Sequence, residues 1–368
     1  VAESSIGNGA QVAWAKNDPT RADIEIPRHI QQEWSEFKSA FEKYGCEMYA
    51  LFRPTNDVQA TQQAVTAFLD LLLEERGFEP LVPHQKNRDT IRSAWFRDLM
   101  PSLDRSTVRQ ILEERRFVII EGPPGTGKTS MATELLQQDY RGFGRTIQFH
   151  PNTTYEAFIG GLAPVLSRNE LGLQFEAAPG FLMQAGATAL QEPSRPYLLH
   201  IDEINRGDLS KILGEAIYLL ELTEQPRSIS LPYEFGEPYH RTFSLPVNLH
   251  IVGTMNSADR SIAIVDVAVR RRFAFLSLWP QMKVVEEHGC KLMQEAFQRI
   301  LSIFIEHATE DVFNLVPGHS YFLERDTRRA KDRLNTSLIP LLQEYLIQGY
   351  VTAFSEPIRS YIQWLQSQ

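Results

Sequence analysis

The chain has 368 residues, enough for a sizeable buried core and roughly two to three domains. Its apolar share of 43% and charged share of 23% exclude a mostly disordered, collagenous or coiled-coil protein. With 37 Lys and Arg against 46 Asp and Glu, a net charge of −9, a nucleic-acid coat held by bulk positive charge is excluded too, so any DNA contact needs a local patch.

Residues 1–26 scatter Gly, Asn, Ser and Pro with little periodicity and read as a loose arm. Ile30, Trp34, Phe37, Phe41 and Tyr44 then step by four and three, the stripe of an amphipathic helix. A short extended piece, Glu47–Phe52, precedes a second helix with Val65, Phe68, Leu69 and Leu72 on one face and Gly77 as its stop. Residues 1–115 are therefore expected to form a small, mostly helical adaptor or recognition region. Its last part, Lys86–Arg116, has eight Lys and Arg against five acids. That is enough for a nucleic-acid surface, but pairing of these arginines with acids of the same chain is the simpler expectation.

From Arg116 the texture changes. Short apolar runs at Phe117–Ile120, Thr146–Phe149, Tyr197–Ile201, Leu249–Gly253 and Phe273–Leu278 alternate with helical patterns, which predicts a five-stranded parallel α/β sheet over 116–280. Two insertions interrupt it, Pro164–Phe175 and Arg227–Leu245; in the second, Ser228–Tyr233 and Tyr239–Leu245 alternate like a β-hairpin. Residues 281–368 return to helices, through Val284, Val285, Leu292, Phe297, Ile300, Leu301 and Phe304, then Leu334, Leu338, Leu341, Leu342 and Tyr345. The apolar stretches Ala67–Leu73 and Ala216–Leu222 are far shorter than the ~20 residues of a membrane span, and no charged leader precedes an apolar core, so a cytoplasmic protein without a membrane partner is expected. Cys46 and Cys290, with no C-x-x-C, predict buried free thiols, not disulfides or a cysteine-rich zinc site.

The strongest chemical signal is Gly122-Pro123-Pro124-Gly125-Thr126-Gly127-Lys128-Thr129, between a strand and a helical pattern, with Ser130 next. This is a P-loop in the context it requires. Its glycines let backbone N–H groups surround phosphate oxygens, Lys128 reaches the β- and γ-phosphates, and Thr129 offers a hydroxyl to Mg²⁺. The second signal is Asp202-Glu203, closing an apolar strand. Asp202 would hold Mg²⁺ and Glu203 would polarise the attacking water. The third is Gly253-Thr-Met-Asn256: on a strand between the other two, Asn256 would reach the γ-phosphate side. The fourth is Arg270-Arg271-Arg272, whose side chains diverge at a helix end, so that at least one is expected to face a neighbouring subunit.

Together with Ile201-Asp-Glu-Ile-Asn-Arg206, Met255-Asn-Ser-Ala-Asp-Arg-Ser261, Val269-Arg-Arg-Arg-Phe273, Gln148-Phe-His, Tyr155-Glu-Ala-Phe158 and Gly318-His-Ser-Tyr-Phe322, these segments resemble the AAA+ module of the McrB family, over roughly residues 116–325. The resemblance implies a nucleotide-dependent ring, usually a hexamer, GTP as fuel with Mg²⁺, a helical lid over 281–368, and a separate McrC-type nuclease partner. It assigns Lys128, Thr129, Asp202, Glu203 and Asn256 to the cis site, and Asn205, Arg206, Asp259 and Arg260 to auxiliary positions near the subunit interface. Arg270 and Arg271 are the candidate trans arginines. Residues 1–115 do not resemble the modified-cytosine-binding domain of that family, and DNA contact is expected there or through the partner.

Two rival functions share these motifs: an ATP-driven remodelling chaperone of the MoxR type, and a nucleotide-gated assembly scaffold with negligible turnover of its own. The Asn-Lys-x-Asp segment by which Ras-type GTPases select their base is absent. Asp23 with Glu36 and Lys38 fits a metal-dependent nuclease poorly, because Glu36 and Lys38 fall inside a helical stripe. His288 and Cys290 are too sparse for a metal site.

Overall fold

The computed structural model describes residues 2–6, 10–14, 100–166, 173–221, 226–258 and 266–368. Its chain divides into two compact units, Val1–Pro101 and Ser102–Gln368. In the first, β1 (Ala2–Ile6) and β2 (Ala10–Trp14) pair antiparallel, with Ala2 opposite Trp14 and Ile6 opposite Ala10. This corrects the expectation of a loose arm over the residues that pair. The helices expected around Ile30–Tyr44 and Val65–Leu72, and Asp23, Glu36, Lys38 and Cys46, lie outside the described residues.

The second unit opens with α1 (Arg105–Arg115), ahead of the texture change at Arg116. Asp104 caps it by accepting the Thr107 amide at 2.7 Å, the local bond that lets Asp start a helix. Val108 and Leu112, one turn apart, are fully buried beneath the sheet. The solvent face is tied down as composition suggested: Arg109 pairs with Glu113 at 2.6 Å, and Arg105 with Asp139 at 3.1 Å.

All five expected strands are present, as β3 (Phe117–Gly122), β4 (Gly144–Gln148), β7 (Tyr197–Asp202), β10 (Leu249–Asn256) and β11 (Ala274–Ser277). They form one parallel sheet in the order β11-β3-β10-β7-β4. Burial on both faces is why their sequences are nearly continuous apolar runs. In β3, Phe117 and Ile119 enter one core, while Val118 and Ile120 enter the other, beneath α1 and α2 (Lys128–Glu134). Each insertion carries an antiparallel hairpin. One is β5 (Gly160–Leu166) with β6 (Leu173–Pro179), and the other is β8 (Ser228–Ser230) with β9 (Thr242–Ser244). The first escapes a period-two reading because Pro164 interrupts its alternation; the hairpin stands apart from the central sheet, where a missing ladder donor is tolerated. The second has shorter arms than its alternation suggested.

After β11 the unit is helical. Helix α3 (Phe181–Gln191) packs earlier, beside the sheet, whereas α4 (Lys291–His307), α5 (Thr327–Arg333), α6 (Ile339–Ile347) and α7 (Ser355–Gln366) build the C-terminal part. In α4 the buried stripe is Met293, Phe297, Ile300, Leu301 and Phe304, with Met293 in place of the expected Leu292. Helix α7 buries Ile358, Tyr361, Ile362 and Leu365, and the Tyr361 hydroxyl donates to the Ala296 carbonyl at 2.7 Å, joining the last helix to α4. Among the described residues no helix is long and apolar enough to cross a membrane.

Candidate nucleotide site

Three strands deliver the site. β10 lies between β3 and β7, and its register sets Asn256 against Gly122 and Gly253 against Ile201. Parallel neighbours end at the same edge, so the P-loop after β3, the acids at the end of β7 and Asn256 at the end of β10 share one crevice at the carboxyl ends of the strands. No choice of residues in one segment could produce this meeting; strand order does.

In the loop, Gly125 (φ 79°) and Gly127 (φ 82°) adopt left-handed backbone that side chains rarely tolerate. Thr126 donates to the Pro123 carbonyl at 3.0 Å and stiffens the turn. Lys128 is only 7% exposed, and its Nζ donates to the carbonyls of Gly122 at 3.0 Å and Pro123 at 2.7 Å. Burial pushes its pKa down to about 8, against the pull of Asp202 and Glu203. The ammonium is thus held under the loop by groups that a phosphate can replace.

At the end of β7, the Asp202 Oδ1 accepts from Thr129 at 2.9 Å and from Thr254 of β10, which is 2% exposed. Thr254 is not marked by the motifs of the sequence; its signal is a hydroxyl inside the buried, mostly apolar run of β10. His200, fully buried two residues back along β7, meets the Thr146 hydroxyl through Nδ1 at 3.2 Å, and its Nε2 stands 4.0 Å from Asp202. Burial pushes this ring's pKa down. Hard oxygen donors from Thr129 and Asp202 fit Mg²⁺, which takes few protein ligands beside phosphate and water. Among the described residues no cluster of three or more His, Cys, Asp or Glu could hold a metal instead.

Glu203 is a non-glycine residue at φ 51°, a strained backbone of the sort that collects at working sites. Its amide donates to Thr254 Oγ1 at 3.4 Å. Gln148, ending β4, donates to its carboxylate at 3.3 Å, and Arg206 forms an ion pair with it. Asn205 donates to the Asn256 carbonyl at 3.3 Å, coupling the turn after β7 to the end of β10. The three arginines diverge as expected and separate further. Arg272 is buried and pairs with Glu221 at 3.0 Å; Arg271 pairs with the same carboxylate at 3.3 Å. Arg270 is exposed over the Phe275 ring, 5.0 Å from its centroid, with no acid partner among the described residues. Asp259 and Arg260 lie outside the described residues.

The C-terminal helices close over the loop through Gly318–Phe322. Gly318 N–H donates to the Pro124 carbonyl at 2.9 Å, and Ser320 N–H to the Gly125 carbonyl at 3.0 Å. A Cβ on Gly318 would lie 2.1 Å from the Gly125 carbonyl carbon, so only glycine permits this approach. Arg333 of α5 donates to the Ser320 carbonyl at 2.9 Å and braces the strap from behind.

A parallel sheet in this order, with a P-loop, two acids on the next-but-one strand and a helical C-terminal part, defines an AAA+ P-loop NTPase. The sequence accordingly matches the AAA domain (dynein-related subfamily) over residues 117–273. It is 30% identical over 356 residues to the type IV methyl-directed restriction enzyme EcoKMcrB subunit of Escherichia coli strain K12, covering 87% of this chain and 75% of that one. It is 26% identical over 250 residues to the type II restriction enzyme BsuMI component YdiS of Bacillus subtilis strain 168, covering 55% and 71%. The chain belongs to the McrB family of AAA+ proteins, and the likeness extends beyond the segment 116–325 that carried the resemblance. Among solved structures, a Thermotoga maritima RuvB variant superimposes with a TM-score of 0.32 at 14% identity, covering 67% of this chain and 78% of that one.

Proposed function

We propose that this protein is a GTP-hydrolysing motor subunit of a DNA restriction or antiviral defence complex, acting as a ring of copies, six in the family's usual form, beside a separate McrC-type nuclease. The observation that carries the reading is the shared crevice: Thr129 and Asp202 within 2.9 Å, Glu203 adjacent, and Lys128 held beneath the loop. In it, Lys128 exchanges loop carbonyls for phosphate oxygens, and the backbone N–H groups from Gly125 to Ser130 surround them, Pro123 and Pro124 having none to give. Thr129 and Asp202 would hold Mg²⁺, which supplies charge neutralisation on the phosphates. Glu203, once released by Arg206, accepts a proton from the water, and Asn256 orients that water. Asn205, Arg206, Asp259 and Arg260 are auxiliary residues near the subunit interface. Arg270 is favoured over Arg271 as the arginine given to the neighbouring subunit, since Glu221 engages Arg271 and Arg272 and leaves Arg270 without an acid partner among the described residues. DNA is engaged through residues 1–115 or through the nuclease.

The test compares GTP and ATP side by side for binding and hydrolysis, in wild type, Lys128→Ala, Glu203→Gln and Arg270→Ala. Lys128→Ala should lose binding, Glu203→Gln should bind without turnover, and Arg270→Ala should bind normally and lose about 10³-fold or more in rate. Mixing the last two should restore some activity, because some interfaces then pair an intact arginine with an intact carboxylate. Preference for ATP in both measurements would instead support a protein-remodelling motor, and negligible turnover even with the partner would support a scaffold.

A further inference from the structure

Strand β7 carries a histidine among large apolar side chains, and its ring is fully buried. Alternation along the strand puts His200 on the face of Leu198, which packs in the core beneath α1 and α2, and on the face of Asp202, where the strand ends. Thr146, opposite it on β4, meets Nδ1 at 3.2 Å. Among the described residues Nε2 has no hydrogen-bond partner, and Asp202 Oδ1 stands 4.0 Å from it. A buried ring nitrogen left unpaired is costly, and a leucine here would avoid that cost, so the histidine calls for a reason other than packing.

Charge settles where the ring proton sits. A bare Nε2 lone pair would confront the carboxylate, whereas an N–H is attracted to it; the Thr146 hydroxyl therefore donates to Nδ1, and Nε2 carries the hydrogen. The same carboxylate oxygen accepts from Thr129 on the crevice side and from Thr254 of the neighbouring strand. His200 reaches it from inside β7, the buried side. Donor contacts of this kind are often long before a ligand is bound and shorten in the complex.

We infer that His200 is a positioning residue for the metal-binding carboxylate: its Nε2–H steadies Asp202 from the core side and closes to a hydrogen bond when the crevice holds nucleotide and Mg²⁺. The inference rests on the Mg²⁺ role proposed for Asp202, and it is indifferent to the base and to any partner.

The experiment measures the dissociation constant of Mg²⁺ for the full chain with saturating GDP and, separately, ADP, in wild type, His200→Leu, His200→Gln and Asp202→Asn. His200→Leu should weaken Mg²⁺ about 10-fold or more, as for other residues that orient metal ligands, with nucleotide affinity in the absence of Mg²⁺ unchanged. His200→Gln, which keeps an N–H donor, should recover most of the loss. In ¹⁵N-histidine-labelled wild type the ring should be protonated at Nε2, and its Nε2 resonance should shift when Mg²⁺ is added to the nucleotide complex; this reads the contact even if His200→Leu folds poorly. A ring protonated at Nδ1 alone, equal Mg²⁺ affinity of wild type and His200→Leu, or a loss that His200→Gln does not recover, would overturn the inference while a weakened Asp202→Asn keeps the reading of the site. Wild-type Mg²⁺ affinity in Asp202→Asn would overturn both.

Discussion

Thr254 shows what a single buried hydroxyl does at this site. It donates to Asp202 from the neighbouring strand and accepts the Glu203 amide, so one side chain orients both acids. Thr254→Val keeps the shape and removes the bond; the Mg²⁺ concentration for half-maximal turnover should rise about 10- to 100-fold, as for other residues that orient metal ligands, with Thr254→Ser near wild type. His250 shows the cost of burying a titratable ring. The Tyr140 hydroxyl bonds its Nδ1 at 2.6 Å, and burial, helped by Arg116 and Arg109 against Glu113, pushes its pKa from 6.5 down to about 4. Between those values the unfolded chain binds a proton that the native ring refuses. Stability therefore falls as pH drops from 6.5 toward 4, by about 3 kcal/mol from this group alone. Thermal unfolding at pH 7 and pH 4.5 should show a shallower decline in His250→Phe than in wild type.

Elements act here through close approach. The strap at Gly318–Phe322 meets Pro124 and Gly125 backbone to backbone, so Gly318→Ala would set a methyl group 2.1 Å from a carbonyl carbon. The strap must then lift. Expected outcomes are a loss of about 1–3 kcal/mol in stability and weakened nucleotide binding, read by denaturant melts and by titration. Ser320→Ala, which keeps the donating backbone N–H, is the control and should change neither much. Helix α5 serves the same strap from behind through Arg333, and Asp326 starts that helix by accepting the Arg329 amide at 2.9 Å.

At the scale of the molecule, Asp202 is engaged in the P-loop crevice, and among the described residues no cluster of three or more His, Cys, Asp or Glu could hold a metal. Under the proposed function, DNA cleavage comes from a separate subunit. Incubating the chain with GTP, Mg²⁺ and long duplexes, modified and unmodified, should leave them intact until its genomic neighbour is added. Cutting by the chain alone that survives Lys128→Ala would reveal a nuclease centre elsewhere. A trans arginine also predicts that turnover per subunit rises with protein concentration, since an isolated copy lacks its neighbour's Arg270.

The sequence by itself determined the strands, because a parallel strand buried on both faces must be a continuous apolar run, and it marked the P-loop and the Asp202-Glu203 pair, because phosphate and water chemistry need those residue types at those spacings. It also carried the family likeness through Ile201–Arg206 and Met255–Ser261. Pairing at the very N-terminus and the hairpin around Pro164 escaped it, since these strands lack clean alternation. Only the tertiary structure decided what depends on contacts between distant segments. Strand order put Thr254 against Asp202, a glycine-to-glycine approach brought His319 over Gly127, and Glu221 engaged Arg271 and Arg272 but not Arg270. Each joins residues tens to hundreds of positions apart, where local periodicity carries no signal and only packing sets who meets whom.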